Sequence, residues 1–565
     1  MKKIIVFVLG LGMAFTASAQ NWQDAQILSA NEYGGTARSL GMGNALTAIG
    51  GDPGSLVLNP AGSSVSAYSQ FFVSPGVSVS IVGAKGVTYA NGDTEPVGFG
   101  DNVSTGYARF KVPSVGIILS LDSGKRSGWK RSAFGFTLSS SADYTSRMVA
   151  SGLNSTTSYA GSLASSADGY AASVLGSGDW YYTGSDKGLR PSWEDMTGYR
   201  AGLFDQISAR PGGYIALTEV LGKDGKVYMG DPIRQSYGRQ TTGGKNEFLI
   251  NYSANYSDIL YLGASVGISI LNYRMSRYIT ESPDDPASYP VISYDDGSTL
   301  SLQSLRMREN LRITGSGVYF KAGAIVRPVA GLRIGAAVQT PARMTLRERY
   351  GFAADVKSSG KQIPSASSPE NDWGYAISQP FRANLGLAYS FGGFAVISAD
   401  YEAADYGAVR FISRDYGGDS LDDPNFWSVN YDIRDIMGWG HQLRAGAEVK
   451  PAPWLSVRAG YNYITSAEKA RFDDGEVVKL TSEEKAAKAR QAFMFGLGWS
   501  GGAFYADFAV RCRLLPVEFI VPYEYYYAPD PAKYYDKVVD TGFLTPEIRY
   551  TSTMIDAIFT LGWRF

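Results

Sequence analysis

The sequence predicts an all-β fold: a 14-stranded antiparallel transmembrane β-barrel with an N-terminal hatch, or plug, in its lumen. Three features carry that expectation. Apolar and polar residues alternate along many long segments. The connections between these segments are short and long by turns. A compact, apolar, Gly- and Pro-rich stretch precedes the first of them.

The chain opens MKKIIVFVLGLGMAFTASAQ. Lys2 and Lys3 lead an apolar run from Ile4 to Phe15, and Ala17-Ser18-Ala19 follows. That is the pattern of a secretory signal peptide cleaved before Gln20. The run is too short to cross a bilayer as a helix. Residues 1–19 are therefore assigned to the leader, residues 20–67 to the plug and residues 68–565 to the barrel. No later stretch is apolar for long enough to be a membrane helix.

Composition excludes several classes. The 52 basic and 53 acidic residues nearly cancel, so nucleic acid is not an expected partner. Cys512 is the only cysteine, so no intrachain disulfide forms and no thiolate zinc site is expected; it reads as a small buried side chain. The 66 Gly and 38 Tyr suit a protein of many strands and tight turns.

Period-two alternation is clearest in the C-terminal half. Ile555, Ala557, Phe559, Leu561, Trp563 and Phe565 share one face, while Asp556, Thr560 and Arg564 share the other. Leu443, Ala445, Ala447 and Val449 alternate with Arg444, Gly446, Glu448 and Lys450, and Phe493, Phe495, Leu497 and Trp499 repeat the pattern. A soluble sandwich and a membrane barrel both alternate in this way. The strands are longer than the five or so residues usual in soluble sheets. Aromatics gather at their ends, as at Tyr461, Tyr463, Trp499 and Trp563, which fits interfacial girdles. The chain stops on Phe565, a terminal aromatic that resembles the signal read by outer-membrane assembly machinery.

Connections order these strands. Joints at 257–258, 328–331, 392–393, 451–453 and 501–502 are short, with a slightly longer one at 122–130. Long polar segments fall between them, at about 148–245, 277–301, 351–379, 414–432, 467–490 and 516–545. Strands are expected at 68–88, 104–121, 131–147, 246–257, 259–276, 302–327, 331–350, 380–391, 393–413, 433–450, 453–466, 490–500, 502–515 and 546–565. Short turns then lie in the periplasm and long loops outside. The loop at 148–245 is the largest. Thr481-Ser482-Glu483-Glu484 is a capping box opening a short helix in another loop.

Catalysis is not expected. His441 is the only histidine, it opens a strand, and no nucleophile-elbow sequence accompanies it. Neither a cofactor nor a metal site is expected. The inward face instead carries Lys321, Arg333, Arg382, Asn384, Arg444, Glu448, Arg458, Asn462, Asp556 and Arg564. Their mixed signs predict a lattice of ion pairs across neighbouring strands.

Residues 20–67 are too apolar to hang in water: Leu40, Met42, Ala45, Leu46, Ile49, Leu56, Val57 and Leu58 call for burial. A barrel of this size has room for a folded segment. Within it, Leu56-Val57-Leu58 is expected against the inner wall, with Asn59-Pro60 turning the chain toward the first strand.

The run Gly35-Thr36-Ala37-Arg38-Ser39-Leu40-Gly41-Met42-Gly43-Asn44-Ala45, then Gly51-Asp52, then Asn59-Pro60-Ala61-Gly62, resembles the mature N-terminus of the FadL/TodX family of outer-membrane transporters of long-chain fatty acids and other hydrophobic compounds. Weaker echoes are Val338-Gln339-Thr340-Pro341, Ser398-Ala399-Asp400-Tyr401 and Leu443 to Glu448 followed by Val457 to Tyr461. The resemblance implies a 14-stranded barrel in the bacterial outer membrane, reached by Sec-type export. It implies a hatch that includes Gly35, Ala37, Arg38, Met42, Gly43, Asp52, Asn59, Pro60, Ala61 and Gly62. It also implies passive uptake of a fatty acid-like molecule that leaves sideways through a gap beside a kinked strand. Pro113, within FKVPSVGIILSL, is the candidate for that kink. The expected partners are thus a hydrophobic small molecule, the lipid bilayer and, during biogenesis, the assembly machinery, with the protein acting as a monomer. Two other readings remain at this point: a barrel that binds protein partners in secretion or in a structural role, and a hydrophilic porin.

Overall fold

The computed structural model describes residues 20–87, 97–181, 191–208, 212–223, 225, 227–294, 296–473, 476–524 and 545–565. The leader expected over residues 1–19 lies outside them, as does most of the loop expected at 516–545. Fourteen antiparallel strands close on themselves. In chain order they are β1 (Gln70–Gly86), β2 (Val103–Asp122), β3 (Trp129–Asp143, continued by Ser146–Asn154), β4 (Ile233–Tyr256) and β5 (Leu260–Pro283). Next come β6 (Thr299–Val329), β7 (Leu332–Gln339, continued by Arg343–Gly360), β8 (Asn371–Ser378, continued by Arg382–Phe391) and β9 (Ala395–Asp405, continued by Phe411–Ser413). The last are β10 (Trp439–Ala452), β11 (Leu455–Ile464), β12 (Arg490–Gly501), β13 (Phe504–Leu514) and β14 (Ile548–Arg564). The seam joins β1 to β14, from Gln70 opposite Arg564 to Gly86 opposite Ile548.

The wall is apolar outside and polar inside. Along β12, Phe493, Phe495, Leu497 and Trp499 are exposed while Ala492, Met494 and Gly496 are buried. Along β14, Phe559, Leu561 and Trp563 face out, whereas Asp556 and Thr560 are fully buried. In water such an exterior would be penalised at every strand; against lipid it is the favoured arrangement. Exposed aromatics pair near the short turns, as in Trp129 with Tyr256 and Phe504 with Trp563. No described helix is long and apolar enough to cross a membrane, so crossing falls to the strands.

The short turns keep the chemistry their residues allow. Ser257 and Asp258 both adopt positive φ, the geometry of a type I′ hairpin that matches strand twist. Lys130 and Asn255 hold the Asp258 side chain and so stabilise the strained pair.

The outer ends depart from the expected pattern in three ways. First, strand pairing runs further: Ser146–Asn154 pairs with the start of β4 at Ile233 onward, so the large loop proper is 155–232. Second, residues 427–436 form a helix, α6 (Trp427–Ile436), and β10 begins only at Trp439 rather than near 433. Third, β6 spans 31 residues, where about ten suffice to cross a bilayer. The tall strands β4 to β7 therefore rise beyond the membrane as a scaffold. The 155–232 loop packs on it through Tyr159, Leu163, Met196, Phe204 and Tyr214 against Tyr237, Ile279, Leu305 and Met307. Its helix α3 (Tyr159–Ala167) seats its first N–H groups on the Glu281 carboxylate, with Tyr159 N at 2.5 Å and Ala160 N at 3.2 Å. The capping box at Thr481 and Glu484 opens α7 (Ser482–Ala487). Cys512 is half-buried in β13 rather than fully enclosed.

Candidate functional site

Residues 20–66 are folded inside the barrel. The segment has little regular structure, and its side chains supply what its backbone lacks. Helix α1 (Trp22–Ser29) is opened by a capping box of Asn21 and Asp24, and α2 (Ala37–Gly41) is capped by Thr36. Two 3₁₀ turns follow, Pro53–Val57 capped by Asp52 and Pro60–Val65 capped by Asn59. In both, Pro stands at the first helical position, where its missing N–H costs nothing. Asp52 also accepts the Thr36 hydroxyl at 2.7 Å, which ties the two halves of the segment together. Helix α2 touches β11 to β14, and the second 3₁₀ turn touches β3 to β6 on the far side of the ring, so the segment bridges the lumen. Leu40, Met42, Ala45, Leu46, Leu56 and Leu58 are fully buried.

Backbone meets backbone where the wall carries glycine on its inner face. A methyl group at Gly323 would overlap the Asn59 side-chain oxygen, and one at Gly460 would overlap the Gly43 nitrogen. Gly263, Gly335 and Gly446 are crowded in the same way by Pro60, Thr47 and Met42.

Polar wall residues then satisfy the carbonyls that this irregular chain leaves open. Lys245 donates to Ala30 O at 2.8 Å, Arg382 to Ser29 O at 2.7 Å and Arg511 to Tyr33 O at 3.2 Å. Lys321 donates to Val57 O and Arg333 to Ile49 O. Asn251 donates to Pro60 O at 2.9 Å. From the plug side, Asn59 donates to Thr47 O at 2.8 Å and to Ala324 O of β6 at 3.1 Å, and accepts from Ala61 N at 3.0 Å.

Three buried carboxylates organise the charges. Glu448 receives Arg38 of the plug at 2.9 Å and Arg458 of β11 at 2.5 Å, and Arg458 goes on to Asp507 at 2.5 Å. Glu402 receives Arg382 at 2.9 Å and Arg444 at 3.2 Å. Asp556 receives Lys111 at 2.6 Å, Arg511 at 2.9 Å and Arg513 at 3.1 Å. Arg38 is thus the plug's own cation in a wall network. Glu32 is its anion, paired with Arg490 at 3.0 Å and with Arg513.

Burial opposes ionisation of Glu32, but the guanidinium groups of Arg513, Arg490 and Arg511 outweigh it and hold the carboxyl below the usual glutamate range. A folded value below the unfolded one means stabilisation that is full above about pH 4.3 and is lost as pH falls through the lowered value. The protection factors of the Glu32 and Gly34 amides, each taken against the intrinsic rate at the same pH, should fall once pH drops below about 4. Unchanged protection in acid would contradict this.

The wall itself is incomplete at one place. Strand β2 pairs with β3 only from Ser114 opposite Ser139 to Asp122 opposite Arg131. Among the described residues, no ladder joins Val103 to Pro113 of β2 with β3. Pro113 has no N–H to give, and the register between β1 and β2 slips between Ser74 and Gly76, beside Pro75. The carbonyls that β3 presents to this opening are taken by the plug: Glu32 N donates to Ser141 O at 2.6 Å and Gly34 N to Ser140 O at 2.8 Å. Side chains bridge the rest. Lys111 reaches Asp143 at 2.8 Å, and Arg109 reaches Gly243 O at 3.1 Å and Thr145 at 3.2 Å.

Above the plug, α1 meets α6 in an apolar cluster that includes Leu28, Tyr375, Phe411, Phe426, Ile433 and Ile436. A polar cavity of about 20 Å³ lies beside Glu32, Tyr33, Asn44, Arg490 and Arg511, which is room for roughly one water. His441 stacks on Tyr401 and shares a 2.7 Å hydrogen bond with it at the head of β10.

Gly35, Ala37, Arg38, Met42, Gly43, Asp52, Asn59, Pro60, Ala61 and Gly62 all lie in the segment 20–66, and all but Arg38 are buried. Arg382, Arg444, Glu448, Arg458 and Asp556 are buried on the inner wall, and Arg333 is half-buried there. Pro113 stands at the lower end of the opening. Sequence reasoning missed Glu402, Asp507, Arg511 and Arg513, whose inward parity along β9 and β13 would have found them. It also missed Glu32, Tyr33 and Lys245, for which no local pattern exists.

No protein-family model matches the chain, and no curated protein is similar to it in sequence. Several solved structures align with most of its length. A FadL homologue of Pseudomonas aeruginosa is similar at 13% identity and TM-score 0.47, over 94% of this chain and 99% of its own. The toluene transporter TodX of P. putida gives the same values. The toluene transporter TbuX of Ralstonia pickettii is similar at 12% identity and TM-score 0.43, over 94% and 98%.

Proposed function

We propose that this chain is an outer-membrane passive channel for fatty acid-like or other hydrophobic small molecules, that residues 1–19 export it, and that residues 20–67 are its hatch. The observation that carries the reading is the stretch of β2 at Val103–Pro113, laddered to β1 but not to β3 and stoppered from within by Glu32 and Gly34. An apolar solute gains nothing from a water-filled pore, so a side opening toward lipid is the exit that keeps it out of water. The hatch is held by hydrogen bonds and ion pairs as well as by an apolar cluster in which Met42, Leu46, Leu56 and Leu58 meet Leu249 and Tyr319 of the wall, and the polar contacts can be exchanged without unfolding the wall. A buried apolar cluster of Leu28, Tyr375, Phe411, Phe426 and Ile436 packs the hatch's own α1 against α6. The motif from Gly35 to Gly62 resembles the family in which such a hatch is expected.

Two measurements test the reading. Cells lacking the protein should take up labelled long-chain fatty acid or a monoaromatic hydrocarbon more slowly, and the cloned gene should restore the rate. Asn59→Ala removes two donated bonds and one accepted bond, a loss of about 1–2 kcal/mol within the hatch. It should leave the barrel assembled and change uptake. A variant that fails only in assembly would make Asn59 a folding residue and remove the hatch reading. Unchanged uptake in the deletion strain, with no related channel present, would remove the transport reading.

A further inference from the structure

Near the start of the plug a group of carboxylates lacks a counter-charge. Glu348 of β7, 2% exposed, accepts Gln20 Nε2 at 2.7 Å and the Tyr375 hydroxyl at 2.8 Å, both on one oxygen. Its other oxygen has no partner, and neither does the Gln20 side-chain oxygen. Asp24 of α1 and Glu309 of β6 are close enough to act on it electrostatically. Glu309 has Arg277 as its ion-pair partner. Among the described residues, no cation forms an ion pair with Glu348 or Asp24. Burial pushes the Asp24 carboxyl up to about 7, against the pull of the Asn21 N–H and with the push of Glu348 and Glu309. A site built this way is short of one positive charge.

We propose that the missing charge is the chain's own new N-terminus: the α-ammonium group of Gln20, released by cleavage after Ala19, docks against Glu348 and Asp24. Hydrolysis of the Ala19–Gln20 amide by water leaves a carboxylate on the leader and an amine on Gln20, which is protonated at neutral pH. Gln20 is 6% exposed, and its side chain already holds Glu348, so the amine is created on a residue that is already tied to the acidic group. The precursor has a neutral amide at the same place. Cleavage therefore adds an anchor for α1 that the unprocessed chain cannot form. The inference rests on the leader and hatch reading above.

The test uses the mature protein, purified from membranes in detergent. N-terminal sequencing and intact mass establish first whether the chain begins at Gln20; another start overturns the premise and, with it, the docking. The rate at which a small acylating reagent modifies the Gln20 α-amine is then compared in folded and unfolded protein by mass spectrometry of the N-terminal peptide. Protection of at least about tenfold in the folded state is expected, equivalent to one unit of pKa or more. Glu348→Gln should remove most of it while the barrel keeps its heat-resistant gel mobility. Modification at the unfolded rate overturns the proposal. So does a chain lighter by one ammonia, in which Gln20 has closed to a neutral lactam. Neither result would touch the uptake assay, which stands or falls separately.

Discussion

Asp556→Ala should leave the barrel unable to close stably. Asp556 is fully buried on β14, the strand that pairs with both β1 and β13 and so forms the seam. Its carboxylate holds Lys111 of β2 and Arg511 and Arg513 of β13, and accepts the Ser78 hydroxyl of β1 at 2.8 Å. One anion thus ties four neighbouring strands. A buried ion pair adds little net stability over an apolar pair, but removing one partner strands the others at about 3–5 kcal/mol. Here Arg511 loses its carboxylate partner outright, while Lys111 and Arg513 are left with Asp143 and Glu32 alone. The folded fraction, read as heat-modifiable mobility on gels, should fall sharply. Asp556→Ala combined with Arg511→Met should recover part of it, because one stranded charge is gone. Normal assembly of the single variant would show that Asp143 and Glu32 suffice for Lys111 and Arg513 and that Arg511 is tolerated without a carboxylate.

Gly323→Val should unseat the plug while sparing the wall. The new side chain would occupy the space of the Asn59 amide on the lumen side of β6, where that amide is fixed by three hydrogen bonds and backed by the Pro60 ring. Overpacking of a tight interface costs about 1–3 kcal/mol, comparable with the Asn59 bonds it would also break. The strand pairs of Gly323, with Gly263 on β5 and Ala337 on β7, are unaffected by its side chain. Single-channel conductance in planar bilayers should rise, and protease should trim the N-terminal segment. A silent, protease-resistant variant would mean that the plug shifts to accommodate valine.

The wall was readable because a membrane barrel imposes one rule at every strand. Phe493, Phe495, Leu497 and Trp499 must face lipid, so their neighbours face the lumen, and period two follows. Ser257-Asp258 and Gly392 mark turns for the same local reason, a need for positive φ. The rule lapses above the membrane. Residues 233–245 pair as strand, but only Ile233 and Tyr237 among them pack under the 155–232 loop and the rest are polar or Gly, so they alternate no longer. Helix α6 was hidden because Val429, Ile433 and Ile436 give barely two turns of spacing beside a true strand start. In the plug, the caps at Asp52 and Asn59 are visible in sequence, yet their wall partners, Ala324 O above all, depend on the closed ring. The opening beside Pro113 was visible only as a proline. Its extent needed the pairing of β2 and β3, and its stopper, Glu32 and Gly34, carries no motif.

The central claim is that Glu32–Gly34 must leave the β3 edge for a molecule to pass. A Cβ placed on Gly34 lies 3.3 Å from that of Ser140, close to the separation of about 3.5–4.5 Å that a disulfide spans. Gly34→Cys with Ser140→Cys, in a Cys512→Ser background, therefore locks the stopper in place. The oxidised protein should bring uptake of labelled fatty acid down to the level of cells without the channel, and reduction should restore it. Full uptake through the oxidised, cross-linked protein would contradict the account.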